Sequence, residues 1–279
     1  MLKIALTGAD GLVGSRIVEL LNKDFKFICL NQKIIDITNQ EQVFQVLKPL
    51  GFDIFLHLAA YTNVSQAERE KNLCFKINVE GTKNIFEVVS FKKKKFVYIS
   101  TDFVFDGKNP PYFEDSPAKP IGIYGRSKYE GEKIVANSGM IIRISYPYRA
   151  KYKKKLDFLR RFKSLFEEKK PLTMITNATM TPTFIDDIAY GLKYLMNNYS
   201  AETFHLVGSN SLSPYQAACQ IATEFNLDQS LIKKITYEEY VKLNPTIPQW
   251  STIKSKKNNF YKMKNFIEGL SIVKKQIID

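Results

Sequence analysis

The chain alternates short, continuously apolar runs with amphipathic stretches. Leu2 to Leu6 form an apolar run that turns at Gly8 and passes into a helical pattern from about Gly11 to Asn22, a βα unit. "FKFICL" (25–30), a helical stretch over 39–48 and "DIFLHLAA" (53–60) repeat the alternation. A long helix predicted around 76–90 leads into "KFVYIS" (95–100), and "GIYGRSKYEGEK" (122–133) reads as the first turns of another helix before "MIIRIS" (140–145). Strands that are apolar at every position, rather than at every second one, predict a parallel sheet covered on both faces. The expected class is α/β, a doubly wound parallel sheet of the Rossmann type with a smaller mixed α/β substrate lobe.

Beyond residue 145 the regularity decays into basic, aromatic segments. Helical patterns near 154–168, 185–197 and 213–226, with a strand "TFHLVG" (203–208), predict a second layer made by chain returning across the sheet. The expected division is a dinucleotide-binding domain over 1–145, with 184–208 returning to it, and a substrate lobe from 146–183 and 209–279. The tail "NNFYKMKNFIEGLSIVKKQIID" is open to two readings, a closing helix or a docking element. No internal repeat or low-complexity linker separates the parts.

Composition narrows the function classes. With 279 residues and 44% hydrophobic content, a large core can be buried. No apolar run approaches the ~18 to 20 residues of a membrane span, and "MLKIALTGADG" enters a glycine loop with no cleavable leader, so a cytoplasmic address and no membrane partner are expected. The net charge of +13 comes mainly from lysine, as in "FKKKKF" (91–96), "KYKKK" (151–155) and "KSKK" (254–257). Base-edge readout would favour arginine interleaved with aromatics, so no nucleic-acid partner is expected. Some of this charge can instead draw in a phosphate-bearing substrate. Cys29, Cys74 and Cys219 are odd in number and widely spaced, and His57 and His205 sit in apolar runs, so neither a disulfide framework nor a metal site is expected.

Three motifs carry chemistry. Gly8, Gly11 and Gly14 stand between a strand and a helix, where glycines permit a tight turn and close backbone approach to a pyrophosphate, and the helix N-terminus offers its free N–H groups. The end of the second strand reads Leu30-Asn31-Gln32-Lys33. It lacks the acid that would bind a ribose 2′-hydroxyl and repel a 2′-phosphate, so NADP(H) is favoured, aided by Lys33, with NAD(H) left open. Asp36 and Ile37 follow, as lining of an adenine pocket or, for Asp36, as a turn residue. "YISTDFVFDG" (98–107) is a strand ending in Ser100-Thr101-Asp102, placed to face a ligand crevice. Tyr124 and Lys128 lie four residues apart, on one helical face. An ammonium there is expected to lower the phenol from its ordinary value near 10 and fit it for acid-base work.

At these residues the sequence resembles the extended short-chain dehydrogenase/reductases, and more narrowly the dTDP-4-dehydrorhamnose reductase-like group of nucleotide-sugar reductases. "TGADGLVGS", "HLAAYTNVSQAE", "INVEGT", "STDFVFDG", "GIYGRSKYEGE", "RISYPYR" and "PTFIDDIA" carry the resemblance over about the first 190 residues. It implies Thr101, Tyr124 and Lys128 as the catalytic set. It implies Gly8, Asp10, Gly11, Leu12, Val13, Gly14, Asp36, Ile37, Ala59, Ala60 and Tyr61, with Tyr124 and Lys128, as the cofactor pocket. Thr62, Val64, Asp102, Phe103 and Tyr146 are implied near the sugar. The implied activity is NADPH-dependent reduction of a keto group on a nucleotide-linked deoxysugar, and a homodimer is left open.

Departures from the group are informative. Tyr146 in "SYPY" stands where a Trp is common, and the segment Ile247 to Ser251 lacks a phosphate-gripping arginine. Lys254 or Lys256 is expected to serve instead. Ser15-Arg16 lacks the Glu that some relatives use at a metal-bridged dimer contact, so no structural Mg²⁺ is expected. Thr101 is followed by Asp102-Phe103 rather than by the Asp-Glu of sugar 4,6-dehydratases, which disfavours elimination. Two alternatives stay open: a non-catalytic NADP-binding regulatory subunit resembling the methionine adenosyltransferase β subunit, and a nucleotide-sugar epimerase.

Overall fold

A computed structural model describes residues 1–244 and 247–278. Pro245, Thr246 and Asp279, which fall within the expected substrate lobe, lie outside the described residues. Six strands, β1 (Lys3–Thr7), β2 (Lys26–Leu30), β3 (Ile54–His57), β4 (Lys95–Thr101), β5 (Met140–Ile144) and β6 (Thr203–His205), form one sheet in the order β2-β1-β3-β4-β5-β6. Every pairing in it is parallel.

The apolar continuity of the strands follows from burial on both faces. Ile4 and Leu6 of β1 and Ile54 and Leu56 of β3 pack on one side with Ile17 and Leu21 of α1 (Leu12–Leu21). Ala5 and Phe55, one residue out of phase, pack on the other with Val43 and Leu47 of α2 (Gln40–Leu47) and with Ile85 and Val89 of α3 (Gly81–Phe91). Helix α4 (Ile123–Val135) covers the same side and contributes Val135. The sheet is therefore doubly wound, as its pattern predicts.

The chain then crosses over. Helix α5 (Phe158–Glu167) begins at the buried N-cap Asp157, four residues later than the periodicity suggests, because residues 151–156 leave as an arch. Helix α6 (Ile185–Asn197) packs against α1, fixed by Arg16 Nε to Asp186 at 2.7 Å, and leads to β6 beside β5. Helices α5, α7 (Pro214–Phe225) and α8 (Phe266–Ile278) enclose a separate core around Tyr148, Leu159, Ile221, Phe266 and Leu270. Of the two readings of the tail, the structure takes the closing helix.

The helix expected over 76–90 is present, as part of an unbroken helical run over 71–91 that contains a π-helical turn. Residues Lys71–Phe75 are α-helical, Lys76–Glu80 form a π-helical turn, and α3 starts only at Gly81. The strand expected over 203–208 ends at His205. Among the described residues, no helix is long and apolar enough to cross a membrane.

Candidate active site

The strand order reverses between β1 and β3, and ligands of open α/β sheets bind outside the carboxyl ends at such a point. A cleft of about 1130 Å³ opens there, bordered by Thr7, Leu30, Leu58, Thr101 and Ile144 at or just beyond the ends of β1 to β5. The residues implied as the catalytic set, the cofactor pocket and the sugar side all line it: Gly8, Asp10, Gly11, Leu12, Val13 and Gly14, then Asp36 and Ile37, then Ala59, Ala60, Tyr61, Thr62 and Val64. Thr101, Asp102, Phe103, Tyr124, Lys128 and Tyr146 complete it.

The glycine loop has the geometry of a phosphate cradle. Gly8 sits at φ +70°, and a Cβ on Gly14 would stand 2.2 Å from the Gly8 carbonyl oxygen, so neither position tolerates a side chain without a backbone shift. Gly11 caps α1 without a side-chain acceptor, leaving the positive end of the helix for an anion. The buried Ser100 Oγ, without a hydrogen-bond partner among the described residues, also borders the cleft and awaits a polar ligand atom. These residues fit a dinucleotide.

At the ribose end, Asn31 and Gln32 line the cleft, whereas Lys33 does not. The backbone N–H of Lys33 turns back to Asn31 Oδ1 at 3.0 Å. Asp36 plays both of its readings, lining the cleft while Oδ1 accepts the N–H and hydroxyl of Thr38, each at 2.9 Å.

Thr101 ends β4, and Tyr124 and Lys128 occupy the first turns of α4. Gly122 caps α4 without a side chain, and Glu68 Oε1 accepts the Ile123 N–H at 2.7 Å in its place. Asn78, in the π-helical turn, binds the Tyr61 N–H at 2.7 Å through Oδ1 and Ser127 Oγ at 2.9 Å through Nδ2. One buried amide thus ties the loop after β3 to the helix bearing Tyr124. On the other side of His57, Thr7 Oγ1 meets Nδ1 at 2.7 Å and Thr82 meets Nε2 at 3.2 Å. Burial, then the charge of Lys128, pulls the His57 pKa down to about 3, so the ring is neutral and positions strands rather than exchanging protons.

Asp102, directly after Thr101 at the end of β4, is buried, accepting hydrogen bonds from Thr101 Oγ1 at 3.1 Å and Ser145 Oγ at 2.9 Å. Burial pushes its pKa up to about 6, with those two hydroxyls opposing the shift. Tyr146, at φ +40°, holds its ring between Phe103 and Phe158, with centroids 6.2 Å from each.

The expected lowering of the Tyr124 pKa is overturned. Burial raises it above the ordinary phenol value, the Thr101 hydroxyl opposes this, and the Asp102 carboxylate adds to it. Lys128 is itself buried, which pulls its pKa down to about 7. Tyr124 is therefore held as a protonated phenol, ready to donate. Lys254 and Lys256 are also corrected: neither borders the cleft, and Lys256 pairs with Asp115 at 2.9 Å on another surface.

Sequence reasoning missed Asn78, Glu68, Tyr152 and Lys155. The first two sit in ordinary helical pattern, and nothing local marks contacts 17 and 55 residues away in the chain. Tyr152 and Lys155 belong to "KYKKK", which reads as a solvated face.

The family model described as RmlD substrate binding domain matches residues 2–275. A dTDP-4-dehydrorhamnose reductase of Sinorhizobium fredii is 30% identical over 223 residues, covering 76% of this chain and 74% of the relative. The methionine adenosyltransferase 2 subunit beta of Bos taurus is 25% identical over 251 residues, covering 84% and 75%. A crystal structure of dTDP-4-dehydrorhamnose reductase from Bacillus anthracis in complex with NADP superimposes with a TM-score of 0.91 at 30% identity, covering 99% of both chains.

Proposed function

The chain belongs to the RmlD substrate binding domain family, within the extended short-chain dehydrogenase/reductases, and we propose that it uses NADPH to reduce a keto group on a nucleotide-linked deoxysugar. The observation that carries this reading is the convergence of Thr101, Tyr124 and Lys128 beside a glycine cradle in one cleft. The similarity to reductases, one of them in complex with NADP, supports it. Residues 1–145 with 184–208 are the dinucleotide-binding part in this reading, and 146–183 with 209–279 shape the sugar side.

The glycine cradle would hold the dinucleotide by its pyrophosphate, and the nicotinamide would supply the hydride. Tyr124, kept protonated by burial, donates its proton to the oxygen of the reacting carbonyl. Thr101 turns its hydroxyl from Asp102 to the same oxygen and polarises it. Lys128, in its charged form, steadies the phenolate left behind and returns a proton to it. Phe103, Tyr146 and Phe158 offer an apolar wall for the sugar ring. Holding donor and ketone together contributes up to ~7 to 11 kcal/mol in favourable systems, and acid catalysis a further ~10² to 10⁴-fold.

The test follows NADPH absorbance against a panel of nucleotide-linked 4-keto sugars. Tyr124→Phe is expected to lower kcat by ~10² to 10⁴-fold while NADPH binding persists. Unchanged turnover in that variant would remove Tyr124 from proton transfer. Tight NADPH binding with no ketone reduced would favour the regulatory role suggested by the likeness to the methionine adenosyltransferase subunit.

A further inference from the structure

The lysine run 151–155 arches across the cleft from a buried anchor. Asp157 accepts the Arg160 Nε–H at 2.9 Å and the Arg149 N–H at 3.3 Å, and the Arg160 guanidinium donates to the carbonyls of Tyr152 and, at 2.6 Å, Lys155. With its backbone tied from below, the arch reaches both lips of the cleft. Tyr152 donates its hydroxyl to the Asp10 carbonyl at 2.6 Å, and Lys154 meets the Asp10 carboxylate at 2.9 Å. On the opposite lip, Lys155 Nζ donates to Thr62 Oγ1 at 2.8 Å.

We propose that Lys155 reads phosphate: its ammonium, carried over the cleft by this arch, binds a phosphate oxygen of the dinucleotide or of the nucleotide diphosphate attached to the sugar. This deepens the reductase reading and rests on it for the identity of the ligands. Of the other basic groups nearby, Lys76 on the π-helical turn also borders the cleft. Lys154 is neutralised by Asp10, and Lys128 lies against the Tyr98 ring. Lys155 borders the cleft, and its hydrogen-bond partner among the described residues is a neutral hydroxyl, with no carboxylate in salt-bridge contact. Its partial desolvation also lowers its pKa, a cost that an arriving anion would offset. The site supplies the cation that Ile247 to Ser251 lacks and that Lys254 and Lys256, which do not border the cleft, leave unsupplied.

Binding of NADPH, NADH and dTDP to the whole protein, measured calorimetrically at two salt concentrations, tests this. Lys155→Met is expected to weaken at least one probe by about tenfold or more and to flatten its salt dependence, with Lys155→Arg restoring most of the affinity. Lys153→Met, which removes an arch lysine with no charged partner among the described residues, is expected to leave all three unchanged. Loss for NADPH alone assigns the contact to its 2′-phosphate, loss for both dinucleotides to their pyrophosphate, and loss for dTDP alone to the sugar nucleotide. Unaltered affinity for all three probes in Lys155→Met overturns the proposal, as does an equal loss in Lys153→Met. If wild-type protein reduces no ketone yet Lys155→Met still weakens a probe, the phosphate contact stands and the reductase reading falls.

Discussion

Lys128 carries its ammonium 3.9 Å from the centre of the Tyr98 ring, and both side chains are buried. A ring face stabilises a cation without neutralising it. Burial therefore dominates and pulls the Lys128 pKa down to about 7, with the Glu132 charge opposing it. The cation one helical turn from the Tyr124 phenol is thus poised to lose its proton close to neutrality.

For the free protein, kcat/KM for ketone reduction is expected to fall as pH rises through about 7. Above that value Lys128 is neutral and no longer stabilises the phenolate that proton donation leaves. The stability linkage has the opposite direction. Because the folded pKa lies below the unfolded value near 10.4, the contribution of Lys128 is full above that value and is lost as pH falls to about 7. Lys128→Met should therefore gain more in melting temperature over wild type at pH 6 than at pH 10. A basic limb that persists unchanged in a residually active Lys128→Met enzyme would assign the titration to another group.

Asp102 gives a complementary pH signature. Its folded pKa of about 6 lies above the unfolded carboxylate value near 3.9. Its favourable contribution is thus full below about pH 4 and is lost as pH rises through about 6. Asp102→Asn keeps a carbonyl acceptor for Thr101 or Ser145 and removes the buried charge. Relative to wild type, it should melt higher at pH 8 than at pH 4, by an amount equivalent to a few kcal/mol at most. A melting difference that stays constant across pH 4 to 8 would mean that Asp102 does not titrate in this range.

The fold class was legible because continuously apolar strands separated by helical periods admit few arrangements, and a parallel sheet buried on both faces is the one this spacing allows. The residues nominated for the site share one cleft for the same reason. Gly8, Ala59, Thr101 and Tyr146 all follow or end strands, and topology carries those ends to one edge. Depth was not legible. The spacing of Tyr124 and Lys128 places them on one helical face, but the direction of their pKa shifts depends on how much protein covers that face. Nor was the arch over the cleft, because its anchor joins Arg149, Asp157 and Arg160, whose partnership appears only when the chain turns back on itself.

Gly14 tests the cradle. A methyl group there meets the Gly8 carbonyl at 2.2 Å, and this contact is backbone, so α1 or the loop must move. Gly14→Ala is expected to cost about 1 to 3 kcal/mol in unfolding free energy, as overpacking does, and to weaken NADPH binding by more than tenfold. Gly51→Ala, where a Cβ meets nothing within 4 Å, is the matched control. Equal NADPH affinity in the two variants would show that the close helix-to-loop approach is not what shapes the phosphate site.

Glu132 joins the stability of α4 to the chemistry at its other end. Its carboxylate receives Arg143 Nε at 2.9 Å and Nη2 at 2.7 Å, and both side chains are buried. Removing one member of such a pair leaves the other charged and desolvated, so Glu132→Gln should cost about 3 to 5 kcal/mol in stability. Glu132→Leu combined with Arg143→Met removes both charges and should recover much of that loss. The functional effect should not recover with it. The negative charge of Glu132 raises the Lys128 pKa against burial, so both the single and the double variant should move the basic limb of kcat/KM below its wild-type position. A limb that stays in place in the stable double variant would mean that Glu132 holds the helix without tuning the lysine.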